Sequence, residues 1–153
     1  MFKALIVEDN DLFRLTLRRI LTSEFPSIRI EEAVDGEEAF SIIKTLLPEL
    51  IFMDIKLPGE NGIQVTKKIK ILYPKISIII VTSYDSPEYR EAASQVGAEY
   101  FISKRSSSTK DIIKAVGSLF SREVLAEPEK KKMNKGKRLL RHGISEVIME
   151  SNE

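Results

Sequence analysis

The sequence has no cysteine. That absence excludes disulfides, cysteine-ligated zinc, iron–sulfur clusters and thiol nucleophiles. Histidine is nearly absent too: the single His142 excludes any multi-histidine metal site. No apolar run approaches the roughly 20 residues that a membrane helix needs. The N-terminal segment reaches Glu8-Asp9 too early to be a secretory signal. These absences predict a cytoplasmic protein that does not enter a membrane. Charge of one sign is also scarce. The net charge of +1 announces neither a nucleic acid nor a membrane surface. What is present is a globular composition, 42% hydrophobic and 31% charged, on 153 residues. That length suits one ordinary domain with a short extension.

The charge is unevenly spread. Residues 1–121 carry 16 Lys/Arg and 17 Asp/Glu, a net −1, and residues 122–153 carry 8 and 6, a net +2. A boundary is therefore expected near residue 121, between a balanced, apolar-rich body (1–121) and a basic tail (122–153).

Within the body two periods alternate. Short apolar runs at Ala4–Val7, Ile28–Val34, Leu50–Met53, Ile76–Val81 and Tyr100–Ile102 read as strands. The first, third and fourth are almost continuously apolar, as strands covered on both faces are. The second alternates apolar with charged residues and reads as an edge. Between the strands lie helical spacings. Phe13, Leu17, Ile20 and Leu21 form one face. Ala39, Ile43, Leu46 and Leu47 form another, as do Val65, Ile69 and Leu72, and Ile112, Val116, Leu119 and Phe120. A weaker helix over Ser86–Val96 opens with a Ser-Pro start and stops at Gly97. Five strands alternating with five helices demand a doubly wound parallel sheet, an α/β architecture with helices on both faces.

Ligands of such sheets sit beyond the carboxyl ends of the strands. The first run ends in Glu8-Asp9, the third in Asp54, the fourth in Thr82-Ser83 and the fifth in Ser103-Lys104. Three carboxylates, a hydroxyl and a lysine would thus converge on one cleft. Clustered carboxylates repel, and a hard divalent cation such as Mg2+ relieves that repulsion. With a lysine beside them they provide the parts that hold a phosphoryl group. No Ser/His or Cys/His pair offers itself, so the candidate nucleophile is a carboxylate, and Asp54 is the central one.

At this point the body resembles the receiver domains of response regulators, the CheY-like superfamily. The matching segments are LIVEDN at 5–10, LIFMDIKLPGENG at 50–62, IIIVTSYDS at 78–86 and GAEYFISK at 97–104. The resemblance implies a flavodoxin-like sheet of order 2-1-3-4-5. It implies that Asp54 accepts a phosphoryl group from a histidine kinase or phosphotransfer protein. Glu8 and Asp9 would be the acidic pair, with Asp9, Asp54 and the backbone carbonyl of Lys56 around the metal. Thr82 would be the switch hydroxyl, Lys104 the phosphate-binding lysine and Phe101 the switch aromatic. Arg105 stands where the family often has proline, a variant similar to receivers of the LuxR/NarL type. Glu8 stands where aspartate is frequent.

The resemblance implies a signalling protein whose own chemistry is phosphoryl acceptance and slow self-dephosphorylation, rather than a metabolic enzyme. The alternative is a degenerate receiver that only binds protein. A haloacid-dehalogenase-type phosphatase wants a second Asp where Lys56 stands. A flavodoxin-type cofactor carrier wants a phosphate loop where Glu8-Asp9 stands. The tail is too short for a LuxR/NarL-type DNA-binding domain, so output is expected through a downstream protein target, a homodimer or the tail itself. Its run Lys130, Lys131, Lys132, Lys135, Lys137, Arg138 and Arg141 lacks interleaved aromatics and reads as solvated or partner-contacting rather than nucleic-acid-binding. Leu140, Ile144, Val147 and Ile148 have the spacing of a short amphipathic helix, weakened by Gly143.

Overall fold

A computed structural model describes residues 1–126. The basic run, His142 and the expected amphipathic segment lie outside the described residues. Within them the chain runs β1 (Lys3–Val7), α1 (Asp11–Glu24), β2 (Arg29–Ala33), α2 (Gly36–Leu46), β3 (Leu50–Met53) and α3 (Gly62–Leu72). It continues through β4 (Ser77–Thr82), α4 (Pro87–Gln95), β5 (Tyr100–Ser103), α5 (Thr109–Leu119) and α6 (Arg122–Ala126). All pairings are parallel, in the order β2-β1-β3-β4-β5. This is the expected doubly wound, CheY-like arrangement, with β2 at one edge.

The continuous apolar runs work because the pleat deals successive side chains to opposite faces. Ala4, Ile6, Leu50, Phe52, Ile79 and Val81 go to one core, closed by Leu17, Leu21, Ile112 and Val116 from α1 and α5. Leu5, Val7, Ile51, Met53, Ile78 and Ile80 go to the other, closed by Ile43, Val65, Ile69 and Ala93 from α2, α3 and α4. Each of the larger strand side chains buried this way contributes about 1.5–3 kcal/mol.

The helix starts are written in the sequence. Asn10, Asp35 and Ser86 each accept a backbone N–H of the first turn, from Phe13, Glu38 and Tyr89. Asn61 and Gln64 form a reciprocal capping box at α3. The ends depart from the apolar spacing. Leu47 and Leu72 continue their helical faces on paper, yet they are 56% and 64% exposed. Leu47 is the left-handed cap that closes α2 (φ 50°), just before Pro48. Leu72 is the last residue of α3, before the chain turns at Pro74. Thr66 is buried on α3 instead.

Packing also continues past Ser121. The short α6 starts on the Ser121 hydroxyl, which accepts the Val124 N–H at 3.2 Å. It lays Leu125, 2% exposed, into the same core as Phe2 and Phe25.

Candidate functional site

The register of the sheet decides which side chains meet. Val7 pairs with Met53, Met53 with Ile80, and Thr82 with Ser103. The residues that follow these positions, Glu8, Asp9, Asp54 and Lys104, are therefore brought to one end of the sheet. Oxygens of Glu8, Asp9 and Asp54 all lie within 4.8 Å of one another. Glu8 and Asp54 are buried, and Asp9 is exposed at the mouth.

Lys104 Nζ donates to Glu8 Oε1 at 2.8 Å and to Asp54 Oδ2 at 3.3 Å. Its side chain is only 15% exposed. The second carboxylate oxygens of Glu8 and Asp54 accept backbone N–H groups. Glu8 Oε2 accepts the Asn10 N–H at 3.0 Å, and Asp54 Oδ1 accepts the Ile55 N–H at 2.7 Å. The acidic pair is steadied from α1 as well, where the Arg14 guanidinium donates to the Glu8 carbonyl at 2.8 Å. Arg14 is itself held by Glu32 and Asp11.

Charge balance follows directly. Three carboxylates face one ammonium, so the fully ionised cluster carries −2. Burial pushes the Glu8 carboxyl up to about 7, with the negative Asp54 adding to the rise and the Lys104 hydrogen bond opposing it. A cluster this short of positive charge, made only of oxygen donors, fits a hard metal ion by the chemistry of its donor set.

Gly62 sets the depth of Asp54. A Cβ at this position would stand 1.9 Å from the Asp54 carbonyl oxygen. The first turn of α3 therefore passes directly over the Asp54 backbone, and the Gly62 N–H donates to the Ile55 carbonyl at 2.8 Å. Asn61-Gly62 is thus a helix start, not only a turn. Lys56 lies exposed on the loop between, two residues after Asp54.

Thr82 and Phe101 lie on the neighbouring strands. Thr82 is fully buried, and its Oγ1 accepts the Tyr84 N–H at 3.2 Å. The Lys104 N–H donates to the Thr82 carbonyl at 2.8 Å, which ties the β5 end to the β4 end. Phe101 is half-buried against the α2–α3–α4 core, with the Arg90 guanidinium 4.7 Å over its ring. It is not part of the carboxylate cluster.

Like the Arg90–Phe101 contact, two further contacts escaped sequence reasoning. Buried Ser103 donates to Asp85 Oδ2 at 2.6 Å and accepts the N–H groups of Arg105 and Ser106 at 3.1 and 3.4 Å. That hydrogen bond, with Arg105 and Arg90 nearby, holds the Asp85 carboxyl below its usual range. The second is Phe13, whose ring lies 4.2 Å from Lys104 Nζ. The spacing marks Phe13 only as a core residue of α1.

A family model for the response regulator receiver domain matches residues 4–117. Protein CcdB of Bacillus subtilis is 36% identical over 116 residues, 76% of this chain and 95% of that protein. The response regulator GacA of Pseudomonas aeruginosa is 26% identical over 130 residues, 84% of this chain but only 60% of the relative's length. Among solved structures, the CheX-CheY-BeF3-Mg+2 complex from Borrelia burgdorferi superposes with a TM-score of 0.71 at 27% identity. That match covers 78% of this chain and 89% of the other. No helix among the described residues is long and apolar enough to cross a membrane.

Proposed function

Because the chain belongs to the response regulator receiver domain family, we propose that it accepts a phosphoryl group on Asp54 and converts the added charge into a change of surface. Phosphorylation-dependent switching is the standard function of that family. The observation that carries the reading is the Lys104 ammonium bridging Glu8 and Asp54 inside a cluster of three carboxylates.

The donor is a phosphohistidine on a kinase or phosphotransfer protein. An Asp54 carboxylate oxygen forms the new P–O bond, the P–N bond breaks, and its electron pair leaves on the imidazole. Lys104 neutralises the transferred oxygens, because its ammonium already lies against Asp54. Asp9, Asp54 and the Lys56 carbonyl would hold Mg2+, with Glu8 acting through a bound water. The ion supplies positive charge for phosphoryl oxygens at a site otherwise too negative to admit them.

Thr82 accepts from Tyr84 and so retains its own O–H to donate. A phosphoryl oxygen gives that proton a strong acceptor. Drawing Thr82 inward vacates space for Phe101, which must then leave the Arg90 stack. A hundredfold shift of population needs about 2.7 kcal/mol of differential interaction. One charge-assisted hydrogen bond with an aromatic repacking supplies that order. The surface so changed, formed by α4, β5 and α5, is offered to a downstream protein or a second copy of the chain.

Acetyl phosphate with Mg2+ tests the acceptor. The wild-type protein should gain one phosphoryl mass in intact-mass measurement, and Asp54→Asn should gain none while melting normally. A labelled Asn variant, or an unlabelled wild-type protein, overturns the assignment and leaves the chain as a binding module only.

A further inference from the structure

Lys104 has three N–H donors and three sides occupied. Two sides face Glu8 at 2.8 Å and Asp54 at 3.3 Å. The third faces Phe13, whose ring centroid is 4.2 Å from Nζ. An aromatic face attracts a cation at this distance, and more strongly where water is excluded. Here the lysine side chain is 15% exposed and Phe13 is half-buried against the α1–α5 core.

The ring is held by the same short segment that carries the acidic pair. The Phe13 N–H donates to Asn10 Oδ1 at 2.8 Å, and the Asn10 N–H donates to Glu8 Oε2 at 3.0 Å. Glu8, Asn10 and Phe13 are therefore linked by hydrogen bonds through the β1–α1 turn, while Lys104 reaches in from the end of β5.

The chemistry of the third wall matters. A further carboxylate there would neutralise the ammonium and repel an incoming phosphoryl group. Water there would let the flexible stem wander. A neutral π face steadies the cation and leaves its charge available.

We propose that Phe13 is a positioning residue for phosphoryl acceptance, its ring face holding the Lys104 ammonium in place against Glu8 and Asp54. The proposal rests on the reading of Asp54 as the acceptor.

The test uses the full chain with Phe13→Leu and Phe13→Tyr, acetyl phosphate as donor, and Mg2+ titration as a control. Phe13→Leu should slow labelling between about threefold and thirtyfold, the rate equivalent of a partly desolvated cation–π contact. Its Mg2+ affinity should stay within twofold of wild type, because the hydrogen bond and ring contact of Phe13 go to Asn10 and Lys104 and not to a carboxylate. Phe13→Tyr keeps the π face and should label at close to the wild-type rate. In the resting protein, the Lys104 ε-methylene protons should be shifted upfield by the ring, an NMR signature lost in Phe13→Leu and kept in Phe13→Tyr. Wild-type labelling by Phe13→Leu overturns the proposal, as do equal slowing in both variants, a parallel loss of Mg2+ affinity, or unshifted ε-methylene protons. A wild-type protein that takes no label overturns the acceptor reading itself, and the methylene shift then scores the Phe13 contact on its own.

Discussion

Replacing Lys104 by methionine removes the cation and keeps most of the stem. In the native protein the ammonium lies 2.8 Å from Glu8 and 3.3 Å from Asp54, whose side chains are only 3% and 7% exposed. At an effective dielectric near 20 these separations give gross attractions of about 6 and about 5 kcal/mol. Desolvation of the three groups offsets most of that sum. Breaking a buried pair by deleting one partner costs about 3–5 kcal/mol when the orphaned charge has no escape. Here Glu8 has one. Its carboxyl already titrates at about 7, so protonating it at pH 8 costs about 1.4 kcal/mol. The expected loss is therefore about 2–3 kcal/mol at pH 8 in EDTA, and about 1 kcal/mol less at pH 6, where Glu8 is already largely neutral. In a chain of this size the pH 8 loss lowers the melting temperature by about 6–9 °C. Saturating Mg2+ should restore most of it, since the ion replaces the missing positive charge, and Mg2+ should bind the variant more tightly than wild type. Thermal melts at both pH values, with EDTA and with Mg2+, measure all of this. An identical deficit with and without Mg2+, or a larger deficit at pH 6, would mean that Lys104 acts through packing and not through charge.

Further expectations concern the same end of the sheet and the end of the chain. Asp9→Ala should weaken Mg2+ binding more than Glu8→Ala in a calorimetric titration, because on the proposed reading Asp9 would ligate the ion directly and Glu8 through a water. Glu8 titrates at about 7 when folded and at 4.5 when unfolded. The folded apo-protein therefore binds more protons between those values and loses stability as pH rises through them, an effect removed in Glu8→Gln. Mg2+ must displace that proton, so its affinity should fall about fivefold from pH 7 to pH 6 and level off above pH 8. Ser103→Ala should cost about 1–3 kcal/mol in urea melts, since it removes a hydrogen bond to a carboxylate and uncaps two amides. Truncation after Ser121 should cost about 2 kcal/mol through loss of buried Leu125, whereas truncation after residue 126 should leave the melt unchanged.

Some of this molecule is legible without coordinates, for identifiable reasons. Ala4–Val7 and Ile76–Val81 announce doubly covered strands because a parallel sheet buries both pleat faces and leaves no room for alternation. Glu8, Asp54 and Lys104 can be placed together because each follows a strand directly, and parallel strands end on one side. Leu47 misleads because apolar spacing continues past the point where the backbone has turned, and Leu72 because the last residue of α3 is already exposed. Only the caps, with Pro48 and Pro74 beyond them, mark the end. The Ser103–Asp85 and Arg90–Phe101 contacts join segments brought together by the pairing of β4 with β5, which local sequence does not encode. Phe13 is harder still. An aromatic on the inner face of a helix has the same spacing whether it packs on leucine or on an ammonium.

Gly62 bears on how this chain can vary. Two glycines lie in the loop that follows Asp54, and they are constrained in opposite ways. Gly59 has a left-handed backbone (φ 78°) with open space around its missing side chain, so asparagine, which tolerates that conformation, is an acceptable replacement. Gly62 has ordinary helical surroundings but no room at all above the Asp54 carbonyl. Even alanine would force α3 to retreat, and the retreat would drag on Val65 and Ile69 in the core. In a saturation library, position 59 should return a short list of residues and position 62 a single one. The side of the pocket built by α3 is consequently frozen against drift, and diversification of its neighbourhood is channelled to the β4 and β5 loops opposite.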